Sequence, residues 1–576
     1  MKTNEHVGLF ATFTDLYPNE DITKINIEDL IKDIPLDAIM RVMSYINLGT
    51  FFTQSSESFQ EHVLRIITSN FPNKLKSKIN YSQFYSKFSD NKFLYIVNTQ
   101  SNIKIIEKAL QVCKEGDANT ISPEQELRLF EAILLANEQI QQDQIKSFNS
   151  NKEIETLEDI YFKRFLPIIV SSGDFLNLDI KSEILSQVCK GVFLLRFLDN
   201  HPKLSQILHE FLTEKGFTKW EEYLQTIFSL VFVFKPLSEN FEYVQVLDFP
   251  EQEQIAFDLA NKLAININID LKTLAQNSID HLELRKFPLY KVNNNSFYPL
   301  SINFLYNKFY DGLFWELNSV AKQFDKKLNF LSIIRKDFTE EYLLYSQLEN
   351  IYNKCMTFSG LQQSNFYKST IGKDIEKTDY YVRHTKNIYL FECKDNSLSS
   401  DAKVSQDVDK IFDFLDRPKA GVRQLATSIK ELNIKPFDFD DYESKGIKSR
   451  NIVIQPILIV TDRSLKQNGI NTILAKELNS QLKDVEVWNI KCKELVVINI
   501  ETLILHNDYL SLDKRNLKNL IKEYHQSLKE LERKLIVRNM DDLISKYPSF
   551  DYFVFRKNRN FEIPKSINKE LKHILG

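Results

Sequence analysis

The chain has 576 residues, of which 43% are hydrophobic, 26% charged and 12% aromatic, and its formal net charge is -4. This composition is typical of a folded protein and excludes a disordered or collagen-like chain, while the length predicts about two to four domains. Since the net charge is negative, no global positive field attracts nucleic acid, and any such binding must be local.

The five cysteines are scattered and show neither a CxxC pair nor a Cys/His spacing that is typical of zinc sites. We therefore expect a protein of the reducing cytoplasm without structural zinc. The longest apolar run, IFSLVFVF, ends at Phe234 and is much shorter than the roughly 20 residues of a membrane-spanning helix. We expect no association with a membrane.

The first 235 residues are mostly helical in pattern, because apolar residues recur at spacings of three and four. Residues 1–235 are thus predicted to form a helical domain. Within them, SPEQ predicts a helix start, with Ser122 as the cap and Pro123 in the first turn. Residues 236–336 contain short alternating runs around an NNN turn, which predict a hairpin in a connecting α+β region.

The second half alternates between helix and strand patterns. Residues 337–505 are predicted to form an α/β domain with a central mixed sheet, and residues 506–576 a helical C-terminal extension. In the α/β domain, PILIVTD suits a strand that is buried on both faces, and GINTILAKELNSQL suits a covering helix. The predicted fold class is therefore α+β multidomain, with a large α-helical N-terminal region.

Residues 379–394, DYYVRHTKNIYLFECK, predict a hairpin with strands YYVR and IYLF around a four-residue HTKN turn. The turn is centred between Thr385 and Lys386, so Asp379 faces Glu392 across the two strands. Like charges at facing positions destabilise a sheet, and a divalent cation such as magnesium or manganese offsets the repulsion. The pattern predicts a metal site at this end of the hairpin.

Lys394 lies two residues after Glu392 and projects from the same strand face. An ammonium beside a metal site can orient a water or stabilise charge on a phosphate, which phosphodiester hydrolysis requires. The alternative is a surface hairpin with ordinary charges at its strand ends. Two other Glu-x-Lys triplets, at Glu532 and Glu570, look like solvated helix faces, whereas this one follows an apolar strand.

These residues resemble the PD-(D/E)XK nuclease superfamily, although Thr378 replaces the proline of its name. The resemblance implies a restriction-endonuclease-like fold in residues 337–505 and a Mg²⁺ or Mn²⁺ cofactor. It implies that Asp379 and Glu392 bind the metal, with the backbone carbonyl of Cys393 as a further ligand. Lys394 is then expected to assist the attacking water.

The superfamily often adds a metal-binding glutamate on the helix before the hairpin, and Glu340, Glu341 and Glu349 are candidates. Glu341 is preferred, because a regular α-helix would place it on the apolar face. The alternative is that the glutamates favour a helix N-terminus after a capping Asp337 or Thr339, with no role in metal binding.

A glutamine on the helix after the lysine lies near the active site in several nuclease branches. KAGVRQLATSIKEL supplies Gln424 as a catalytic candidate and the neighbouring Arg423 as a candidate for nucleic-acid binding. Near the C-terminus, aromatic residues alternate with Arg556, Lys557 and Arg559, a combination that can bind a nucleic-acid backbone and stack bases. The alternative for this last stretch is a solvated strand over a core.

The expected function is a Mg/Mn-dependent endonuclease, with DNA favoured over RNA by superfamily base rate. The layout is similar to effectors of bacterial defence against phage or foreign DNA, which is an analogy between architectures. A protein partner or a second copy of the chain is expected to bind the helical N-terminal region. The alternative is a non-catalytic nucleic-acid-binding or scaffold protein that retains the nuclease fold.

Overall fold

The computed structural model describes residues 10–53, 56–69, 71, 95–117, 121–148, 156–171, 179–234, 245–249, 253–265, 281–353, 355–359, 378–399, 402, 408–483, 489–513, 516–538 and 540–575. The predicted boundary between the helical domain, residues 1–235, and the connecting region, residues 236–336, lies outside these ranges.

Helices dominate the described residues before the sheet. They are Phe13–Leu16, Ile27–Ile31, Leu36–Phe52, Glu57–Ser69, Thr99–Val112, Pro123–Phe148, Leu157–Ile160, Leu166–Ser171, Ile180–Asn200, Ser205–Lys215, Trp220–Phe232, Gln254–Leu263, Leu282–Lys286, Ile302–Tyr306, Asp311–Phe324, Phe330–Ile333 and Tyr345–Ile351. Two π-helical segments, Tyr161–Phe165 and Ile334–Leu344, continue the α-helices next to them.

The predicted helix start at Pro123 is confirmed, and the Ser122 hydroxyl accepts a hydrogen bond from the Gln125 N–H at 3.2 Å.

Helices also separate and follow the later strands. They are Val408–Asp416, Lys419–Ile434, Ile470–Leu482, Ile500–Leu505, Asn507–Leu510, Asn516–Lys534, Met540–Lys546, Phe550–Lys557 and Lys565–Leu575. Short 3₁₀ turns occupy Ile22–Lys24, Asn307–Phe309, Asp438–Asp440, Ser449–Asn451 and Arg463–Lys466. No described helix is both long and apolar enough to cross a membrane.

The described strands form two sheets. The smaller contains β1 (Leu247–Asp248), β2 (Leu289–Lys291) and β3 (Ser296–Pro299), in the order β1-β3-β2. β2 and β3 are the hairpin predicted around the NNN turn. The larger contains β4 (Met356–Ser359), β5 (Tyr380–His384), β6 (Asn387–Lys394), β7 (Val453–Val460), β8 (Lys491–Cys492) and β9 (Val496–Asn499).

The larger sheet is mixed, as predicted. β4, β5 and β6 are antiparallel neighbours, whereas β6 and β7 are parallel. β8 pairs with the beginning of β7 and β9 with its end, both parallel to it. β6 and β7 are therefore interior strands of the sheet. All but the first residue of β7 are buried, as its apolar run predicts for a strand that is covered on both faces. The structure is an α+β protein with a helical region and a central mixed sheet.

The β5–β6 hairpin has the predicted register but a tighter turn. His384 pairs with Asn387, so only Thr385 and Lys386 form the turn, and the expectation of a four-residue HTKN turn is wrong. Thr385 has φ of 56°, in the left-handed region that two-residue hairpin turns use. Shortening the loop symmetrically leaves its centre unchanged, so the register is unchanged.

Each face of the larger sheet packs against its own helices. Tyr389, Phe391 and Cys393 of β6 join a core with helices such as Ile500–Leu505. Ile388 and Leu390 point to the other core, which includes Lys419–Ile434 and Ile470–Leu482. Glu392 and Lys394 continue the second face of β6, so they project toward the helix Lys419–Ile434.

An ionic network joins the helical region to the end of the sheet. Lys190 of the helix Ile180–Asn200 is buried and lies 2.6 Å from Glu501, which follows β9 and also pairs with Lys466. Arg463, just after β7, lies 2.8 Å from Asp311. The network is formed by Glu183, Lys190, Asp311, Arg463, Lys466 and Glu501.

Replacing Glu501 with Gln is expected to lower the free energy of unfolding by about 3–5 kcal/mol, because Lys190 and Lys466 lose their carboxylate. The exposed control Glu530→Gln, whose carboxylate lies 3.7 Å from Lys534, should cost less than about 1 kcal/mol. Urea unfolding of both variants measures the difference. Equal effects would contradict a stabilising role for the buried network.

Acid should weaken this network. Burial opposes the charge of Glu501, but Lys190 and Lys466 outweigh burial and hold its pKa below the ordinary value of 4.5. The stabilisation is therefore present above about pH 4.5 and is lost as pH falls below that value. Between about pH 7 and pH 3, wild type should lose more stability than Glu501→Gln in the same urea experiment. Parallel losses would exclude this contribution.

Candidate active site

Asp379 and Glu392 face each other at the open end of the β5–β6 hairpin. The last ladder pair is Tyr380 with Phe391, so the next facing positions are residues 379 and 392, as predicted. The backbone N–H of Cys393 donates to Asp379 Oδ2 at 2.6 Å. This bond joins the residue before β5 to the end of β6 and holds the two acidic residues at neighbouring positions.

Burial and like charge disfavour the ionised forms of both carboxyl groups. Burial, followed by the charge of Glu340, raises the pKa of Asp379 from 3.8 to about 7, although the Cys393 N–H lowers it. Burial and the Asp379 charge raise the pKa of Glu392 well above its ordinary range. Without a cation, the pair is expected to bind a proton near neutral pH.

Lys394 is directed at Glu392, as predicted from the strand period. Its Nζ donates to Glu392 Oε1 at 2.8 Å, and its side chain is 21% exposed, against 1% for Glu392. Burial opposes the charge of Lys394, but the Glu392 carboxylate outweighs burial, so the pKa of Lys394 is raised. Glu392 Oε2 is buried and has no hydrogen-bond partner among the described residues. One oxygen of Glu392 thus contacts the ammonium, and the other is left for a further ligand.

Glu340, rather than the preferred Glu341, is the helix glutamate beside Asp379. The Glu340 carboxylate lies within hydrogen-bonding reach of the Asp379 side chain. Tyr345 OH donates to Glu340 Oε1 at 3.0 Å. Glu341 is half-buried, and burial raises its pKa, but Glu340, Lys336 and Asp337 are its charged neighbours. Glu349 is exposed on the next helix.

A π-helix explains why the α-helical period of 3.6 residues points to Glu341 although Glu340 lies beside Asp379. Residues Ile334–Leu344 are π-helical, and the Tyr345 N–H donates to the Glu340 carbonyl five residues earlier. One wider turn therefore separates Glu340 from Tyr345, and a pattern based on 3.6 residues per turn misplaces the face. Asp337 and Thr339 lie inside this helical run, which begins at Phe330 after the capping Asn329, so neither residue caps its start.

A bridge involving Asp395, which sequence reasoning did not select, fixes the π-helix to the sheet. Its two oxygens accept hydrogen bonds from the Thr339 hydroxyl at 3.1 Å and the Thr461 hydroxyl at 2.7 Å. The residue follows Lys394 directly, and Thr461 follows β7. The bridge holds the helix that carries Glu340 at the carboxyl ends of β6 and β7. The two threonines are distant from Asp395 in sequence, so no local sequence pattern predicts this bridge.

The helix Lys419–Ile434 carries Gln424 and Arg423 on the same side of the sheet as Lys394. Gln424 is partly buried, and its Oε1 is buried without a hydrogen-bond partner, whereas Arg423 is exposed. The first turn of this helix contacts the stem of Lys394 through Gly421. Gln424 is therefore one turn beyond the contact with Lys394, and its catalytic role stays a prediction.

The C-terminal aromatic and basic stretch is a helix, Phe550–Lys557, so the alternative of a strand is wrong. Phe553, Phe555 and Phe561 pack into or against the core. They are not displayed together for stacking on bases. Arg556, Lys557 and Arg559 are exposed, and Lys557 Nζ lies 2.8 Å from Glu523. Contact of these basic residues with a phosphate backbone stays a prediction.

Within the described part of the chain, no group of three or more His, Cys, Asp or Glu side chains converges as around a metal ion. Oxygens of Glu392, Asp379 and Glu340 are instead engaged by Lys394, the Cys393 N–H and Tyr345, respectively. The donor set still suits a hard divalent cation, because Glu392 Oε2 is buried without a partner beside a second carboxylate. Asp379 and Glu392 are the residues that would hold it.

Replacing Asp379 with Asn should stabilise the metal-free protein at about pH 8, because the amide removes a charge facing Glu392 but can still accept the Cys393 N–H. A raised pKa means that ionised Asp379 destabilises the fold as pH increases from 3.8 through about 7. In EDTA, the melting temperature of Asp379→Asn should therefore exceed that of wild type most at about pH 8, less at about pH 5, and little below pH 3.8.

The control Asp413→Asn replaces an exposed carboxylate and should not show the rise in melting temperature at about pH 8. A lower melting temperature of Asp379→Asn at about pH 8 would contradict electrostatic repulsion at the site.

No family model, no curated protein and no solved structure matches this chain. The functional assignment of the site therefore depends on its own geometry and on the chemistry of its side chains.

Proposed function

We propose that the protein is a magnesium- or manganese-dependent nuclease of the PD-(D/E)XK type that hydrolyses phosphodiester bonds. The observation that carries the proposal is the arrangement of three side chains at the end of one hairpin. Asp379 faces Glu392, and Lys394 contacts Glu392 at 2.8 Å from the same strand face. Two carboxylates can hold a metal ion and an ammonium can orient water or neutralise a phosphate, so these three groups together can serve metal-assisted phosphodiester hydrolysis.

Burial is the reason to prefer this assignment over a surface hairpin with ordinary charges. Glu392 is 0% exposed, and its Oε2 has no partner, which is costly for a carboxylate that serves no function. The comparison triplet Glu532 to Lys534 is exposed along the helix Asn516–Lys534. The same Glu-x-Lys spacing therefore gives solvated side chains on that helix, whereas at the hairpin the glutamate is buried.

The side chains divide the proposed chemistry between them. Asp379 and Glu392 would hold the cation, and the resemblance adds the carbonyl of Cys393. A bound magnesium or manganese ion would supply Lewis-acid stabilisation of charge on the scissile phosphate. Lys394 orients an attacking water or neutralises charge on the phosphate, and its partial exposure leaves that ammonium accessible from one side. Glu340, held by Tyr345, adds negative charge next to Asp379.

DNA is the proposed substrate, and local basic groups support binding to a phosphate backbone. Arg423 is exposed on the helix whose first turn contacts Lys394. The whole chain has a net charge of -4, so these local groups must provide the attraction. Such contacts are weakened by salt, which makes low ionic strength the appropriate condition for the first cleavage assays.

Cleavage assays test the proposal. Supercoiled plasmid, linear duplex, single-stranded DNA and RNA are incubated with wild type in magnesium, manganese or EDTA. We expect metal-dependent cleavage of DNA that Glu392→Gln abolishes and Lys394→Ala lowers by about 10²–10⁴-fold, the range for loss of one acid–base group. Metal-dependent cleavage of RNA alone would retain the nuclease and overturn the choice of DNA.

The matched controls are Glu532→Gln and Lys534→Ala, which change the same triplet on the exposed helix. Both should cut at the wild-type rate. Cleavage that persists in Glu392→Gln, or that all four variants lose equally, would refute the assignment of the site.

A second candidate function is nucleic-acid binding without turnover. The observation that favours it is the absence, in the described residues, of three converging metal-ligand side chains. This alternative expects wild type and Glu392→Gln to retain labelled DNA equally in a gel, with no cleavage in manganese. The nuclease assignment expects cleavage by wild type and, for Glu392→Gln, binding without cleavage.

A further inference from the structure

Gly421 lies where the helix Lys419–Ile434 approaches the sheet most closely at the candidate site. A Cβ added to this residue would lie 2.7 Å from Leu458 Cδ1 and 3.0 Å from both Cγ and Cε of Lys394. Real Cβ atoms are essentially never closer than 3.0 Å to such neighbours. Because Gly421 has no side chain, there is room beside this helix for the stem of Lys394.

The two neighbours of that space differ in their freedom to move. Leu458 is fully buried in the core and lies opposite Glu392 on the adjacent strand β7. Packed interiors resist added volume, so this leucine has little room to yield. The Lys394 side chain is 21% exposed and ends at the ion pair with Glu392. A methyl group at position 421 is thus expected to displace Lys394.

We infer that Gly421 is a positioning residue, which keeps the Lys394 ammonium on Glu392 by leaving room for the lysine stem. Its consequence for catalysis rests on the proposed nuclease function, whereas its effect on the position of Lys394 does not. Alanine is a better helix former than glycine, so Gly421→Ala favours the helix itself. Any disturbance from this variant must come from the contacts of the added methyl group.

The first test measures the accessibility of Lys394 in metal-free protein. Wild type and Gly421→Ala are labelled briefly with an amine-reactive acetylating reagent, and each lysine is quantified by mass spectrometry. We expect labelling of Lys394 relative to the exposed Lys534 to rise several-fold in Gly421→Ala. The buried Lys190, with a side chain 6% exposed, should stay protected and reports that the variant is folded.

Gly312→Ala is the matched control, since Gly312 is also helical and its added Cβ would lie 3.1 Å from the Asn307 carbonyl oxygen. It should leave Lys394 labelling unchanged. Unchanged Lys394 labelling in a folded Gly421→Ala would overturn the inference.

A double-mutant cycle, followed by thermal melting in EDTA, provides a second readout. It remains informative if Gly421→Ala fails to fold in the wild-type background. Lys394→Ala removes both stem atoms that the new methyl group would meet. Gly421→Ala should therefore lower the melting temperature more in the wild-type background than in the Lys394→Ala background, where the contact with Leu458 Cδ1 remains but those with Lys394 are gone. An equal drop, or failure to fold, in both backgrounds would assign Gly421 to packing against Leu458 alone and overturn the inference.

Kinetics separate this inference from the proposed function. If wild type cleaves nucleic acid, Gly421→Ala should lower kcat several-fold with KM nearly unchanged, since the lysine stem must yield by a few tenths of an ångström and catalysis depends on the exact position of a reacting group. Cleavage by Gly421→Ala at the wild-type kcat would overturn the positioning role. If wild type does not cleave while Lys394 labelling rises as expected, the nuclease assignment fails and the positioning of Lys394 stands.

Discussion

Repulsion between two neighbouring carboxyl groups is the constraint on which the candidate site depends. Asp379 and Glu392 face each other across a hairpin at the edge of a packed core, where burial raises the pKa of both. Replacing one of these carboxyl groups with an uncharged side chain would remove the repulsion. The surrounding structure instead holds them together, through the Cys393 N–H on one side and Lys394 on the other. Such a pair is stable when a cation or a proton neutralises it.

The fold supports this pair from three directions. The long parallel contact between β6 and β7 fixes Glu392 in the sheet, and the Asp395 bridge attaches the π-helix of Glu340 to the ends of the same strands. On the other face, the helix Lys419–Ile434 approaches so closely that a Cβ at position 421 would crowd the side chains of Leu458 and Lys394. Further along the same edge, the ionic network around Glu501 connects the sheet with the helical region.

Local patterns predicted much of the sheet and the central pair of the site. Facing positions in a hairpin follow from the centre of its turn, so Asp379 and Glu392 could be paired although the loop proved shorter. Apolar spacing favoured Glu341, whereas Glu340 lies beside Asp379, because a π-helix changes the number of residues per turn and apolar spacing does not reveal it. The bridge of Asp395 and the pairing of Lys190 with Glu501 join segments distant in sequence, so they depend on tertiary packing and leave no local pattern.

Direct measurement of manganese binding tests the central claim that the facing carboxylates form a cation site. Free Mn²⁺ is followed by its electron paramagnetic resonance signal during titration of wild type and Asp379→Asn at about pH 8, above the raised pKa of Asp379. The account predicts a saturable site in wild type whose affinity falls at least about tenfold in the variant, the loss expected when a ligand or its support is removed. Equal affinities in the two proteins, or no saturable binding to wild type, would contradict it.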